Sequence, residues 1–323
     1  MMRAFARLRN FGALIVLGVT YAVFSLAAPS FFGLQNLLDI IHVISPMIVV
    51  ATGMALVVMS GKLDISVGSI AYVASAVFAV ALHNGSLSFP AAVLAAAGAG
   101  LALGCVNAVI VVGLRVNSLI ATLGTMIAFR GLGLSLTNGG LMALPESARN
   151  LGNIVVGPIY VDTVIALAIL LAAQFVHRRT SFGRQLTAIG NNEDVARRIG
   201  IPVDRRTFAT LLISGTLAAI AGVIYTLQVG VNTAKIGDGM EFTAVAAVVV
   251  GGMSLFGGQG NILASVILGS MIFQVIRSGL QQVGANPYSY RLVEGVVIFI
   301  AMYGDALKTG HIGSGGGRLF RKS

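Results

Sequence analysis

Charged residues are scarce in this sequence: they make up 10% of its 323 residues, whereas 56% are hydrophobic. An ordinary soluble domain carries about 25% charged residues, because its surface must be hydrated. This chain has too few charges to cover a water-facing surface of its size. The composition therefore predicts a membrane protein. The 41 glycines agree with this prediction, because helices that pack closely in lipid use small residues.

Cysteine and metal ligands are also in short supply. The one cysteine, Cys105, lies in an apolar run, which excludes a disulfide framework and a cysteine metal site. The histidines are scattered without metal-ligand spacing; they are His42, His83, His177 and His311. The sequence therefore predicts neither a metal nor another cofactor.

The motifs of nucleotide chemistry are missing as well. The pair Gly61-Lys62 lacks the hydroxyl residue that would follow it in a phosphate-binding loop, so we do not expect this chain to bind and hydrolyse ATP itself. Gly98, Gly100 and Gly104 superficially resemble a dinucleotide loop. They lie inside an apolar run with no preceding strand, which favours helix packing instead.

Few acidic residues are present, and their placement argues against two other functions. All eleven map to loops or to the ends of apolar segments, which disfavours a proton-coupled secondary transporter. No nucleophile and base occur together, so an intramembrane enzyme is not indicated. The net charge of +10 does not require nucleic acid, because membrane proteins keep an excess of Lys and Arg on the cytoplasmic side.

Apolar segments long enough to approach the width of a bilayer recur along the chain. We predict an all-α, polytopic bundle of about ten spans, with both termini cytoplasmic because most Lys and Arg residues then lie inside. The membrane domain takes residues 1–309, with a cytoplasmic loop at about 178–206, and residues 310–323 form a flexible basic tail. The predicted spans are 11–28, 43–60, 65–83, 90–114, 118–137, 160–177, 207–229, 242–256, 261–280 and 291–305.

The 178–206 loop carries the start and stop signals of a short helix. Asn192 is a suitable N-cap, Gly200 suits the left-handed position after the helix, and Pro202 prevents its continuation. Charges that complement the helix dipole occupy the first and last turns. These residues are Glu193, Asp194, Arg197 and Arg198.

The same short helix has one apolar face, formed by Val195, Ala196 and Ile199. Isolated helices of about two turns are marginal in water, so something must pack against this face. Two interpretations stay open: the helix folds back on its own membrane domain, or it enters the groove of a partner protein.

Four stretches of the sequence carry a family resemblance. Residues 181–201, Ser-Phe-Gly-Arg through Gly-Asn-Asn-Glu to Ile-Gly-Ile, resemble the cytoplasmic loop of ribose-type ABC permeases, the carbohydrate uptake transporter 2 family. Residues 61–69, 121–131 and 246–260 resemble that family's motifs G-G-I-D-L-S-V-G-S, A-T-L-G-T-M-x-x-x-R-G and A-A-V-V-I-G-G-T-S-L-x-G-G-x-G. Two departures are Lys62 in place of Gly and Met253 in place of Thr.

The resemblance implies the permease subunit of an ATP-driven sugar importer in the bacterial inner membrane. Its implied partners are a second permease subunit of the same or a related chain, two cytoplasmic ATP-binding domains, a periplasmic sugar-binding protein and membrane lipid, with no nucleic acid. The loop helix would be the coupling helix that contacts the ATPase. Branched-chain amino acid and nucleoside permeases share the architecture and stay open as alternatives. The coupling residues that the resemblance implies are Gly183, Arg184, Asn192, Glu193, Ala196 and Gly200.

Polar groups inside apolar segments are candidates for the solute pathway or its gate. Asp64 and Ser66 lie in a break between two apolar runs, where they either face a wet passage or cap the next helix. Ser254 lies in a glycine-rich interruption and has the same two interpretations. Arg130, inside a span, either crosses the cavity wall or has a structural role.

Overall fold

The protein is a bundle of α-helices in a computed structural model that describes residues 2–308. The predicted basic tail, 310–323, lies outside the described residues. The helices are α1 (Met2–Ala27), α2 (Leu34–Val43), α3 (Ser45–Met59), α4 (Val67–His83), α5 (Phe89–Ala108), α6 (Ser118–Thr137), α7 (Glu146–Leu151), α8 (Val161–Arg179), α9 (Ser181–Asn191), α10 (Glu193–Arg198), α11 (Val203–Val229), α12 (Met240–Val250), α13 (Ile262–Gln282) and α14 (Pro287–Lys308). A 3-10 turn, Pro29–Phe31, follows α1, and a π-helical turn, Val109–Gly113, extends α5.

Two very short antiparallel strand pairs complete the described structure. Strand β1 (Met142–Ala143) pairs antiparallel with β4 (Val231–Asn232), and β2 (Val155–Val156) pairs antiparallel with β3 (Ile159–Tyr160). In the first pair Met142 lies opposite Asn232, which ties the segment after α6 to the segment after α11. These strand pairs have only two residues in each strand, and the architecture is that of a helical membrane protein.

Each of the ten predicted apolar segments overlaps a helix, but one predicted segment extends past the end of its helix. The segment 242–256 was predicted as one span, but α12 ends at Val250, because Gly251 lies against the backbone of Ser265 and the chain turns there. Among residues 2–308, five helices, including α5 with its extension, are long and apolar enough to cross a bilayer, and the pair α2 and α3, bent by 49°, makes a sixth if it is one span. The count of ten and the side of the termini stay predictions.

Helix α11 lies at the centre and packs against α3, α4 and α5. The crossing of α5 and α11 is close because it is built from glycines. A Cβ atom on Gly104 would lie 2.7 Å from the carbonyl oxygen of Leu211, and one on Gly100 would overlap Ala219. The predicted packing role is therefore confirmed for Gly100 and Gly104, whereas Gly98 faces open space.

Three non-helical segments interrupt the bundle and position the candidate site. They are the break 60–66 between α3 and α4, the segment 230–239 before α12, and the turn 251–261 after it. Non-helical backbone is tolerated at membrane depth only where protein or a wet cavity satisfies its polar groups. The partners of these three segments therefore reveal how the interior is organised.

Candidate functional site

Two hydroxyl groups of α6 satisfy the backbone of the break 60–66. The amide of Leu63 donates to Ser118 Oγ at 3.3 Å, and the amide of Ile65 donates to Thr122 Oγ1 at 3.0 Å. Gly61 turns the chain at φ +73°, a conformation that favours glycine. The break is thus held by protein groups along its length.

Asp64 is the centre of a buried polar cluster. Its side chain is 0% exposed, and its Oδ1 accepts from the amide and the Oγ of Ser66 at 3.1 and 2.6 Å. Its Oδ2 accepts from Ser214 Oγ of α11 at 2.8 Å. Asn107 of α5 donates to Ser66 Oγ at 2.7 Å and accepts from Thr125 Oγ1 of α6 at 2.7 Å. We call these five residues the Asp64 network.

The Asp64 network joins the start of α4 to α5, α6 and α11. Ser214 lies eleven residues into α11, or about 16 Å along its axis at 1.5 Å per residue. Asp64 and Ser66 have no exposed surface in the single chain, where their hydrogen bonds link neighbouring helices, and their place in the pathway or gate stays a prediction. Sequence reasoning missed Asn107, Thr125 and Ser214. The available signal was their polarity inside apolar helices.

Arg130 supports the segment 230–239. Its guanidinium donates to the carbonyl oxygens of Ile236 at 2.7 Å and Ala234 at 3.3 Å, and it lies 5.0 Å from the ring centroid of Tyr72. Earlier in the same segment, Asn232 donates to Ser75 Oγ of α4 at 2.7 Å. The donors of Arg130 thus end on backbone carbonyls of the protein, and its role in the solute pathway stays a prediction.

Ser254 belongs to the turn 251–261 and is buried. Its amide donates to the carbonyl of Gln259 at 3.1 Å, and its Oγ accepts from the amide of Phe256 at 3.3 Å. These bonds shape the turn so that its far side reaches α3 and α9: the amide of Gly258 donates to the carbonyl of Met59 at 3.0 Å.

Four glycines bring three segments into backbone contact at this place. A Cβ on Gly257 would lie 2.7 Å from the Cα of Gly61, and a Cβ on Gly190 would overlap the carbonyl oxygen of Met59 and the amide of Gly258. No side chain fits between these backbones. We call Gly61, Gly190, Gly257 and Gly258 the glycine junction; it joins the break 60–66, the end of α9 and the turn 251–261.

The predicted helix signals of the 178–206 loop are confirmed in α10. Asn192 Oδ1 accepts from the amide of Val195 at 3.0 Å, as an N-cap does. Gly200 has φ +83°; its amide donates to the carbonyl of Arg197, and the amide of Ile201 donates to the carbonyl of Ala196, both at 3.0 Å. This is the Schellman arrangement of a helix end.

One of the three residues on the predicted apolar face of α10 is directed toward its own chain. Ala196 is 1% exposed and packs with Ile189 and Val203, so the assignment of Ala196 to a partner-binding face is corrected: it anchors α10 to its own chain. Val195 and Ile199 are 51% and 68% exposed. They are four residues apart and therefore neighbours on one helix face.

The two other residues implied for coupling lie at the start of α9. A Cβ on Gly183 would overlap the backbone of His177, so glycine is what allows α9 to fold back against the end of α8. Arg184 is exposed on the same helix. Gly183 thus positions the loop, and Arg184 lies on its surface.

A chain of charges borders α10. Lys62 Nζ lies 2.8 Å from Glu193 Oε2, and Arg197 lies 2.9 Å from Glu193 Oε1 and also binds Asp204. Partial burial by itself would raise the pKa of Glu193, but hydrogen bonds from Lys62 and Arg197 outweigh it and lower that pKa. These charges line an open cavity of about 690 Å³, and Arg115, at φ +57°, is another of its lining residues.

Within the described part of the chain, no three His, Cys, Asp or Glu side chains are grouped to hold a metal ion. The arrangement offers polar and backbone contacts. A buried network holds four helices, a backbone junction joins three loops, and an exposed apolar pair lies on a capped helix.

Comparison with known proteins gives full-length matches. Residues 36–302 match the family described as branched-chain amino acid transport system / permease component. The ribose import permease protein RbsC of Escherichia coli is 35% identical over 301 residues, covering 92% of this chain and 93% of that protein. The autoinducer 2 import system permease protein LsrC of Photorhabdus luminescens is 29% identical over 310 residues, covering 94% and 92%.

Among solved structures, PsaBC from Streptococcus pneumoniae in complex with Fab aligns with a TM-score of 0.45 and 17% identity, covering 87% of this chain and 92% of that chain.

Proposed function

Because the chain belongs to the family of branched-chain amino acid transport system permease components, we propose that it forms the membrane passage of an ATP-driven importer for a sugar. The chain is a multi-pass membrane protein and a transport subunit, not an enzyme, and ATP hydrolysis belongs to separate subunits in such systems. The observation that carries the sugar proposal is the 35% identity to a ribose import permease along 92% of this chain.

The partners are part of the proposal. Val195 and Ile199 form an exposed apolar pair on a helix that its caps and Ala196 hold in place, which suits docking into the groove of an ATP-binding subunit. A second permease subunit and a sugar-binding protein outside complete the proposed importer. We place it in the bacterial inner membrane, where ATP and the ATP-binding subunits are on one side only.

Gating is proposed for the segments around the glycine junction. The break 60–66, which carries Asp64 and Ser66, and the turn 251–261, which carries Ser254, both touch the end of α9. A shift of α9 and α10 would reach both segments directly, without an intervening side chain. We therefore propose that Asp64, Ser66 and Ser254 belong to the moving parts of the gate, and that Arg130 keeps the segment 230–239 in place beside it.

The substrate proposal is tested by uptake in the bacterium that makes this protein. Deleting its gene is expected to abolish the uptake of one sugar from a labelled panel of ribose, other pentoses and hexoses. Restoring the gene should return that uptake. Labelled leucine and adenosine serve as controls, and their uptake is expected to be unchanged.

The family description makes a branched-chain amino acid the second candidate. A deletion that removes leucine uptake and leaves every sugar untouched would replace the sugar proposal with this one. Loss of adenosine uptake alone would point to a nucleoside. Each outcome still fits a permease, so the panel decides the solute class.

Topology is a separate prediction, which follows from the excess of Lys and Arg on one side. Single cysteines at the exposed positions 194 and 198 and near 309 are expected to resist a membrane-impermeant maleimide in intact cells and to react after the cells are opened. Cysteines near 150 and 235 should react in both cases. Cys105 is first replaced by Ser, so that it adds no background. Labelling of positions 194 and 198 in intact cells would overturn the proposed contact with cytoplasmic subunits.

A further inference from the structure

One ion pair links two segments that are far apart in sequence. Lys62, at the start of the break 60–66, places its Nζ 2.8 Å from Oε2 of Glu193, the first residue of α10. Both side chains are half-buried. The contact therefore connects the break directly to the helix that we propose for ATPase docking.

On the Lys62 side, the pair acts on a segment that is fixed at its other end. Asp64 follows two residues later and is held by Ser66 and Ser214. At the near end the chain turns at Gly61, which lies in the glycine junction. A pull on Lys62 would therefore be transmitted to the Asp64 network, because no flexible stretch separates them.

On the Glu193 side, the pair is part of a longer chain of charges. Glu193 also accepts from Arg197 one turn later, and Arg197 binds Asp204 at the start of α11. Three elements are thus joined: the break 60–66, α10 and α11. A network of this kind holds its geometry better than an isolated pair on a protein surface.

The simpler interpretation is an ordinary surface ion pair that has no part in transport. Such pairs contribute little to stability, so removing Lys62 should leave the fold intact under either interpretation. This makes Lys62 a clean probe, because the two interpretations differ in transport and not in the amount of protein.

From these contacts we infer that Lys62 is a positioning residue that makes the break 60–66 follow the movement of α10. The inference rests on the proposed function, in which α10 moves with the ATP-binding subunit. The glycine junction keeps the backbones of the break, α9 and the turn 251–261 in contact. The Lys62–Glu193 pair adds a side-chain connection between the break and α10. Without Lys62, only the glycine junction connects the break to the moving α9 and α10, so the Asp64 network follows α10 less completely.

The test uses the complete importer in proteoliposomes, with labelled ribose as the first probe and the sugar panel after it. Lys62→Met is expected to retain the ATP-binding subunit and to hydrolyse ATP, while sugar uptake per ATP hydrolysed falls about fivefold. Lys62→Arg keeps the charge and should restore most of the ratio. Arg277→Met removes a pair of equal length, 2.8 Å to Glu294, at a distant place, and should leave the ratio unchanged.

A double-mutant cycle identifies the partner. Glu193→Gln should lower the ratio as well, and Lys62→Met combined with Glu193→Gln should be no worse than the lower of the two single variants. A ratio equal to wild type in Lys62→Met overturns the inference, and so does a fully additive double variant.

Failure of the proposed function is distinguishable from failure of the inference. If the wild-type importer takes up no sugar of the panel, the sugar proposal fails by itself. The inference is then decided by ATP hydrolysis without solute, which Lys62→Met is expected to raise by about twofold because the ion pair no longer ties α10 to the break. An unchanged rate of hydrolysis in that case overturns it.

Discussion

Val195→Asp combined with Ile199→Asp is expected to abolish sugar uptake while leaving the protein folded in the membrane. Both side chains are exposed in the single chain, so their replacement costs the fold little. In the proposed complex they enter the groove of the ATP-binding subunit, where unpaired buried charges cost on the order of several kcal/mol. The measurement is co-purification of the ATP-binding subunit with the variant, together with uptake per molecule of permease.

Ala196→Asp provides the matched contrast on the same helix. Ala196 is packed against Ile189 and Val203 of its own chain, so a carboxylate there disturbs the loop itself. We expect a lower amount of intact protein and a lower melting temperature for this variant, in contrast to the pair at 195 and 199. If the Val195 and Ile199 variant binds the ATP-binding subunit as wild type does, the docking face lies elsewhere on the chain.

Asp64→Leu is expected to have the largest effect on stability of any single replacement in the Asp64 network. The fully buried carboxylate accepts three hydrogen bonds, from the amide and hydroxyl of Ser66 and the hydroxyl of Ser214. Leucine leaves these donors unpaired at about 1–3 kcal/mol each. Asp64→Asn keeps the size and one acceptor oxygen, so a smaller loss is expected. Thermal unfolding in detergent, followed by size-exclusion chromatography, measures the difference.

The same variants separate an anchoring role from a gating role. Ser214→Ala removes one donor only and should cost the least. If Asp64 only anchors the helices, uptake tracks the amount of folded protein across all three variants. If Asp64 also belongs to the gate, uptake per folded molecule falls in Asp64→Leu and partly in Asp64→Asn. Wild-type stability in Asp64→Leu would contradict the network as the structure describes it.

Sequence reasoning predicted α10 nearly residue by residue, because a helix end is specified by neighbours in the chain. Asn192 caps the start and Gly200 turns the end as expected, since each acts on backbone groups within a few residues. The apolar face was only partly predicted. Val195 and Ala196 are about 100° apart on a helix, and the sequence does not say which of them faces the protein.

The lack of a polar face on some helices limited the prediction of their packing. Helix α3 is apolar on all sides, so periodicity does not indicate which face meets which neighbour. The end of α12 at Val250 was missed for a different reason: the sequence shows the glycine-rich interruption that follows, but not the contact of Gly251 with α13 at the place where the helix ends.

The sequence by itself determined that this is a membrane protein, that it is helical and which family it resembles. Composition, segment length and motifs are properties of contiguous residues, so they can be read without the fold. Tertiary structure alone decided which polar residues meet. Asp64 accepts a hydrogen bond from Ser214, 150 positions away, and Lys62 pairs with Glu193, 131 positions away. No local pattern in the sequence encodes such a pairing. The glycine junction has the same origin, since only the packed fold shows that three separate backbones leave no room for a side chain.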